Sequence, residues 1–509
     1  MNRKQKRNDM RRIFTAAVFT LVIFTAGANS PAEVNMAGNY LKNNVVEKKL
    51  ANGITVLLMN RGYSPTVSLE IAFRAGSVDE SYDTSGAAHI LEHMLFKGTE
   101  DFGTKDYSSE RKILNRIEAV GETIDRLRLE DPGNSRIPQL EAELKSLEEQ
   151  QARYSDNSTY DRVYSINGGV GFNAGTSKDM TSYVVQLPSD KLELWAKMES
   201  ERLRKPVLRE YYRERDNVYE ERLTYESNPG RVIYESLYAT AFTAHPYRHP
   251  VIGWRSNVRY MSIHDVRRFY RDYYIPSRMT ITVVGKIDTE KTFSIIEKYF
   301  GTMKPKPEPG EIKIIEPEQL GERRAVVRMA SRPMILIAWK KPAVPSVDDF
   351  TFDIIASALG SGDSSRLYKN LVIDRKIANN IYAWNGAPGA RYDNLFGIFA
   401  SPADGVTPEQ LEQEIYAEIK KFREGITSSE IERVINMSES EFVFMLDDNE
   451  GIAGQLGYCQ TVFGDWRYLV SYLDMVKSIN MDMIRGAMDK YMKDDNRTVV
   501  ILRDSRGSK

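Results

Sequence analysis

The chain has 509 residues, 41% of them hydrophobic and 28% charged, with a formal net charge of −1. That length exceeds one ordinary core and predicts two or more domains, and the near-neutral balance shows no nucleic-acid footprint. A single cysteine, Cys459, excludes an internal disulfide framework and a cysteine-rich metal site, so any metal must be held by histidine and carboxylate.

Residues 1–28 read as a signal peptide. Arg3, Lys4, Lys6, Arg7, Arg11 and Arg12 precede an apolar run from Ile13 to Thr25, and Ala26-Gly27-Ala28 offers small residues for cleavage. The run is short for a membrane span. The expectation is an exported, periplasmic protein with no stable membrane span after signal removal. A protein anchored through an uncleaved signal is the alternative.

Val45 to Asn60 reads as strand, turn at Asn52-Gly53, and strand. Thr66 to Ala75 follows as a strand with Val67, Leu69, Ile71 and Phe73 on one face. Gly86 to Phe96 then predicts a helix, with Asp83 and Ser85 offering caps and Gly98 a stop. His89 and His93 are four residues apart, so both imidazoles leave the same face, one turn apart. At that spacing two histidines can share one metal ion. Glu92 lies beside them and can reach a water on that metal. The pattern His-x-x-Glu-His is the inverted form of the zinc-peptidase helix. Only five histidines exist in the chain, which makes two here with a glutamate between them a specific signal.

Residues 107–165 differ in character. Ile113, Ile117, Val120, Ile124 and Leu127 form a heptad seam, Asp131-Pro132-Gly133-Asn134 a turn, and Ile137, Leu140, Leu144 and Leu147 a second seam. These predict a charged antiparallel helical hairpin projecting from the domain, whose helices pack on each other and need little from the core. It is either a gate for a partner or substrate, or a solvated insertion. Thr181 to Leu187 reads as a strand, as does Met279 to Val284; Leu192–Arg204, Glu210–Glu226 and Ile263–Tyr274 read as helices, the second ended by Asn228-Pro229-Gly230. Gly301 to Arg324, rich in Pro, Lys and Glu, reads as a linker. Beyond it the strand–helix–strand rhythm returns, at Met334–Trp339, near 349–359, and at Leu395–Ala400. That repetition predicts a duplicated domain without a metal helix in the second copy.

Two histidines leave a catalytic metal site one protein ligand short. The helix at 210–226 offers Glu214, Glu220 and Glu221. Glu214 and Glu221 share a face with Val218, whereas Glu220 is rotated by about 100° from Glu221. Spacing alone gives Glu221 only a modest edge. His245 and His249 are also four apart, but Pro246 between them removes the helical geometry, and no second metal site is expected there.

Several stretches together resemble the pitrilysin/insulinase family of inverted-motif zinc peptidases, in its processing-peptidase-like branch. They are Leu50-Ala51-Asn52-Gly53, Phe73-Arg74-Ala75-Gly76-Ser77, and His89 through Thr99. Further along come Phe172-Asn173-Ala174 with Thr176-Ser177-Lys178-Asp179, Arg213 through Glu221, and His245-Pro246-Tyr247 with Pro250-Val251-Ile252-Gly253. The similarity spans most of 45–300 and, more loosely, 325–509. It implies an α+β fold of two related domains, each a mainly antiparallel sheet packed with helices, closing as a clam shell. The implied organisation is a catalytic domain over 36–300 with the hairpin inserted at 107–165, a linker over 301–324, and an inactive peptidase-like domain over 325–509.

The resemblance also implies one zinc per chain, held by His89, His93 and Glu221, the last being the second glutamate of a Glu-x6-Glu pair. Glu214, the first, is implied to orient the site, Glu92 to act as catalytic base, and the edge around Asn173 and Ala174 to bind substrate. The implied activity is zinc-dependent endopeptidase action on extended peptides or unfolded polypeptide segments. The alternative is a non-catalytic binding or assembly subunit. One departure stands out. The family's second domain, or its partner chain, usually carries an Arg-x6-Tyr pair that grips the substrate carbonyl, following a stretch present here as Ser364-Ser365-Arg366-Leu367. This chain has Val372 and Asn379 at those places. A related subunit is therefore expected to supply the pair, unless Arg366, Tyr368 or Tyr382 does so.

Overall fold

The computed structural model describes residues 31–156 and 159–507. The expected signal at 1–28 lies outside the described residues. Among those described, no helix is long and apolar enough to cross a membrane.

The first sheet contains β1 (Val45–Lys49), β2 (Thr55–Asn60), β3 (Thr66–Phe73), β4 (Val170–Thr176), β5 (Thr181–Pro188) and β6 (Met279–Gly285). The second contains β7 (Arg323–Met329), β8 (Met334–Lys341), β9 (Ala378–Ala387), β10 (Asn394–Pro402) and β11 (Arg497–Asp504). The spatial orders are β1-β2-β6-β3-β5-β4 and β7-β11-β8-β10-β9. Leaving out β1, the two orders correspond strand for strand. Each has one parallel pair, β2 with β6 and β7 with β11, and is otherwise antiparallel. The fold is thus α+β, with two related domains facing one another as a clam shell.

Burial explains the strand sequences. β6 is buried at every position, because helices cover both of its faces. β5, one strand from the edge, alternates between buried and half-buried residues. One face of the first sheet packs Val67, Leu69, Ile71 and Phe73 against Ala88, Leu91, Trp195 and Phe300. Its other face is covered from the second half, where Leu57, Met59 and Val284 meet Ile452, Ala453 and Leu456. The exchange is reciprocal. Helix Pro229–Ala241 of the first half lays Ile233, Leu237 and Ala241 on Leu336, Ala338, Val500 and Leu502 of the second sheet. Burial of Ile233, Leu237, Ile452 and Leu456 alone contributes on the order of 6–12 kcal/mol to joining the halves.

Helix Tyr211–Glu226 stops ahead of Asn228-Pro229-Gly230, as the sequence predicts, and the same residues also begin the exchanged helix: the Asn228 side chain accepts the Arg231 N–H at 3.2 Å, and Pro229 takes the first helical position. Residues 304–322 run without helix or strand.

The inserted hairpin is present as helices Tyr107–Glu130 and Ile137–Gln151, bridged by Arg116–Glu143 and Arg128–Glu141. It leans on the domain far more than its heptad seams suggest. Ile117 belongs to the first core, and Ile113, Leu144 and Leu147 pack against it. Arg215 pairs with Asp125 at 2.5 and 3.0 Å. Buried Glu110 accepts from Arg209 at 2.7 and 3.0 Å, and the same guanidinium donates to the carbonyls of Lys97, Thr99 and Phe102. Without the hairpin, Arg209 would be a buried cation without its carboxylate, a strongly destabilising state. The expectation that the insertion needs little from the core is corrected accordingly. Apolar periodicity shows which faces of the two helices meet, but not the charged groups that reach them from elsewhere.

Candidate metal centre

The metal helix spans Ala87–Met94, with Ala87, Ala88, Ile90, Leu91 and Met94 buried. Neither Asp83 nor Ser85 caps it. Gly86 adopts φ 101° at the N-terminus, and the Glu80 carboxylate accepts the Gly86 and Ala88 N–H groups at 2.9 and 2.8 Å. A side chain at position 86 is excluded on two counts: the left-handed backbone, and the Ile252 carbonyl 2.7 Å from where its Cβ would lie.

The second glutamate-bearing helix, Tyr211–Glu226, crosses the first so that Val218 is buried and Glu220 exposed. His89 Nε2 lies 4.0 Å from Glu221 Oε2, and His93 Nε2 lies 3.8 Å from the same oxygen. One ligand atom from each of His89, His93 and Glu221 falls within 4.8 Å of the other two. Glu214 approaches His93 from the opposite side: its Oε1 accepts from Nδ1 at 3.0 Å, and its Oε2 pairs with Lys97 Nζ at 2.5 Å. With its proton on Nδ1, His93 presents a lone pair at Nε2. Glu92 Oε2 accepts the Thr176 hydroxyl at 2.6 Å.

The electrostatics follow from burial and these contacts. Burial, with His93 nearby, lowers His89 to about 3, which keeps it in the neutral form that can ligate. Burial also opposes charge on His93, but the Glu214 bond and the carboxylates of Glu92 and Glu221 outweigh it and raise its pKa. Burial would raise Glu214; the bonds from His93 and Lys97 bring it down to about 2. For Glu92, burial prevails over the Thr176 bond and raises the carboxyl above its ordinary value. Two imidazoles and a carboxylate converging in a region that attracts positive charge fit a zinc ion, and three protein ligands are what a catalytic zinc site uses.

Asn173 and Ala174 lie on β4, which forms one edge of the first sheet and, among the described residues, pairs with β5 alone. Asn173 is exposed and Ala174 half-buried. In the second half, Val372 packs towards its own core and Asn379 donates to the Pro402 carbonyl at 2.8 Å. The alternatives are engaged as well. Arg366 is held by Glu430 and the Lys421 and Gly425 carbonyls, Tyr382 lies 3.1 Å from Tyr234 through the two hydroxyls, and Tyr368 packs on the second core. His245 accepts the Tyr247 N–H and His249 the Trp254 indole N–H, both in structural roles. Among the described residues, one other group has metal-ligand spacing, Glu118, Glu122 and His264, but Arg267 already pairs with Glu118 at 2.6 Å.

Sequence reasoning singled out none of Thr176, Lys97, Glu80 or Tyr225 for the site. Lys97 is one turn beyond His93, and Tyr225 one turn beyond Glu221, so helical spacing could have found both. Burial, with the Glu221 charge nearby, raises the Tyr225 hydroxyl to about 12, and Arg231 lies over its ring at 3.5 Å.

Residues 55–126 and 150–254 match the family model for insulinase (peptidase family M16), and residues 260–438 match the model for the peptidase M16 inactive domain. The chain belongs to the M16, or pitrilysin/insulinase, family. The zinc protease PqqE of Helicobacter pylori is 26% identical over 468 residues, covering 89% of this chain and 91% of that protein. The probable mitochondrial-processing peptidase subunit beta of Arabidopsis thaliana is 22% identical, covering 87% and 76%. Among solved structures, a protease from Helicobacter pylori superposes with a TM-score of 0.75 at 23% identity, covering 90% of this chain and 99% of that one. The first half of the periplasmic protease PqqL from Escherichia coli gives 0.66 at 16% identity, covering 91% and 92%. Whole PqqL is matched over 48% of its length. The inactive-domain match includes helix Val347–Gly360, the first helix of the second half, which carries no histidine.

Proposed function

We propose that this M16 chain is a zinc-dependent endopeptidase that cuts extended peptides or unfolded polypeptide segments in an exported compartment, the periplasm. The observation that carries this reading is the convergence of His89, His93 and Glu221 with Glu92 beside them. One zinc on those three ligands would lower the pKa of a water and polarise the scissile carbonyl. Glu92 takes the proton of the attacking water and passes it to the leaving amine. Thr176 holds one oxygen of that carboxylate, and Glu214 keeps the His93 lone pair on the ligating side. The substrate backbone adds a strand along the free edge of β4 at Asn173 and Ala174.

The export reading draws on the basic and apolar run at residues 1–28, and one structural neighbour is named as a periplasmic protease. A partner follows from the missing pair. Val372 and Asn379 are turned into their own domain, so a related subunit supplies the Arg and Tyr. That same absence favours the second reading, a non-catalytic assembly subunit. The two readings separate in one experiment: purified full chain is analysed for zinc and incubated with a quenched peptide mixture before and after chelation. Cleavage lost on chelation and restored by zinc is expected. Zinc-loaded protein that cuts nothing, with or without a related subunit, would leave the assembly role.

A further inference from the structure

One loop of the second half, residues 388–393 between β9 and β10, packs on the segments that lead into the metal centre. The Ala390 N–H donates to Asp179 Oδ2 at 2.5 Å and the Arg391 N–H to the same oxygen at 3.3 Å, while the Tyr247 hydroxyl donates to Asp179 Oδ1 at 2.6 Å. The fit is close: a Cβ on Gly389 would lie 2.5 Å from the Tyr247 oxygen and 2.7 Å from Asp179 Oδ2. The Arg391 guanidinium makes a bidentate pair with Asp79, at 2.8 and 3.3 Å, with side chains only 1% and 2% exposed.

Both aspartates stand one short step from the site. Asp179 is in the turn between β4 and β5, which is stiffened by the Ser177 hydroxyl accepting the Asp179 and Met180 N–H groups. β4 ends at Thr176, whose hydroxyl holds Glu92. Asp79 accepts the Gly76 N–H, and its neighbour Glu80 caps the metal helix at Gly86 and Ala88. The two segments are also stitched together, Ser77 and Val78 donating to the carbonyls of Ser177 and Lys178. A single loop of the inactive half thus fixes two routes into the centre, one ending on the base and the other on the helix that carries it.

We infer that Arg391 is a positioning residue: its guanidinium holds Asp79 and, at 3.5 Å, the Asp179 carbonyl, its N–H holds the Asp179 carboxylate, and through Glu80 and Thr176 these contacts keep Glu92 in register with the metal ligands. The inactive half then contributes to catalysis by geometry alone. This rests on the peptidase reading above. The route matters because a displacement of about 1 Å at a reacting group costs on the order of 10²-fold in rate.

The test uses zinc-loaded full-length protein. Arg391→Met should lower kcat by about 10- to 100-fold while leaving KM within about threefold, since no substrate contact is lost. Thr176→Val, which cuts the other route at the base itself, should lower kcat similarly. Should Arg391→Met fail to fold, Tyr247→Phe carries the test, since it removes only the hydroxyl shared by Asp179 and the Arg391 N–H. Amide exchange over residues 177–181 should quicken in either variant, and this readout needs no peptide cleavage. A kcat within twofold of wild type, or unchanged exchange, would each overturn the inference. A wild-type chain that cuts no peptide would count against the peptidase reading instead, with the exchange data still deciding the latch.

Discussion

Glu214→Gln perturbs the metal centre without replacing any of the proposed metal ligands. Glu214 Oε1 accepts the His93 Nδ1 proton at 3.0 Å, and Oε2 engages Lys97 at 2.5 Å and Asn217 at 3.3 Å. The carboxylate is what fixes the His93 tautomer and ring orientation and increases the imidazole's basicity. Loss of such a partner typically costs about 10- to 100-fold in metal affinity, or about 1.4–2.7 kcal/mol. Glutamine keeps the shape and one acceptor but removes the charge, so the fold should survive, with Lys97 retaining Glu210 at 3.5 Å. The assay is competition for zinc against a chelator of known affinity, at fixed pH. Glu220→Gln on the exposed face of the same helix serves as control and should bind zinc as wild type does. A zinc affinity for Glu214→Gln within twofold of wild type would refute the orienting role and the tautomer assigned to His93.

Glu70 gives a pH prediction far from the centre. It lies on β3 beneath the second-half helix Asn449–Tyr458, so close that a Cβ on Gly457 would sit 2.6 Å from its Oε2. Burial, with a contribution from the Glu450 charge, raises its pKa from 4.5 to about 8. A carboxyl raised on folding stabilises most fully below pH 4.5, and that advantage fades as pH rises through about 8. By pH 7 the loss amounts to about 3 kcal/mol, at about 1.4 kcal/mol per unit. Glu70→Gln should therefore flatten the fall in melting temperature between pH 5 and 8, and an identical slope in both proteins would count against it. The missing carbonyl grip gives a kinetic prediction. Zinc-loaded chain alone should turn over below the ordinary range of about 1–10³ per second, and a related subunit bearing the Arg and Tyr should raise kcat more than it lowers KM. Ordinary turnover without a partner would move that role to donors beside Glu221, such as Tyr225 and Arg231.

His89, Glu92 and His93 were legible because they occupy a single helical turn, where sequence spacing is spatial spacing. Glu221 and Glu214 were not separable that way: they share one face, and only the crossing of the two helices sends the first to the Nε2 side of the histidines and the second to the Nδ1 side of His93. Thr176 was out of reach for a different reason. It lies 84 residues from Glu92, and a sheet edge brings them together. The duplicated rhythm of strands was readable from alternation and glycine breaks, and the matching strand orders agree with it. The reciprocal exchange of helices was not, since an apolar stripe on Pro229–Ala241 says that a sheet face is covered but not which sheet. Asn228-Pro229-Gly230 shows the ambiguity at its smallest, for the same residues suit a helix end and a helix start.

The central claim is that Glu92 is a base and not a ligand, beside a zinc held by His89, His93 and Glu221. Its most direct test is zinc content and peptide hydrolysis measured together on Glu92→Gln, with wild type assayed in parallel. The account predicts about one zinc per chain in both proteins, with hydrolysis confined to wild type. Normal turnover by Glu92→Gln, or loss of zinc along with activity, would contradict it.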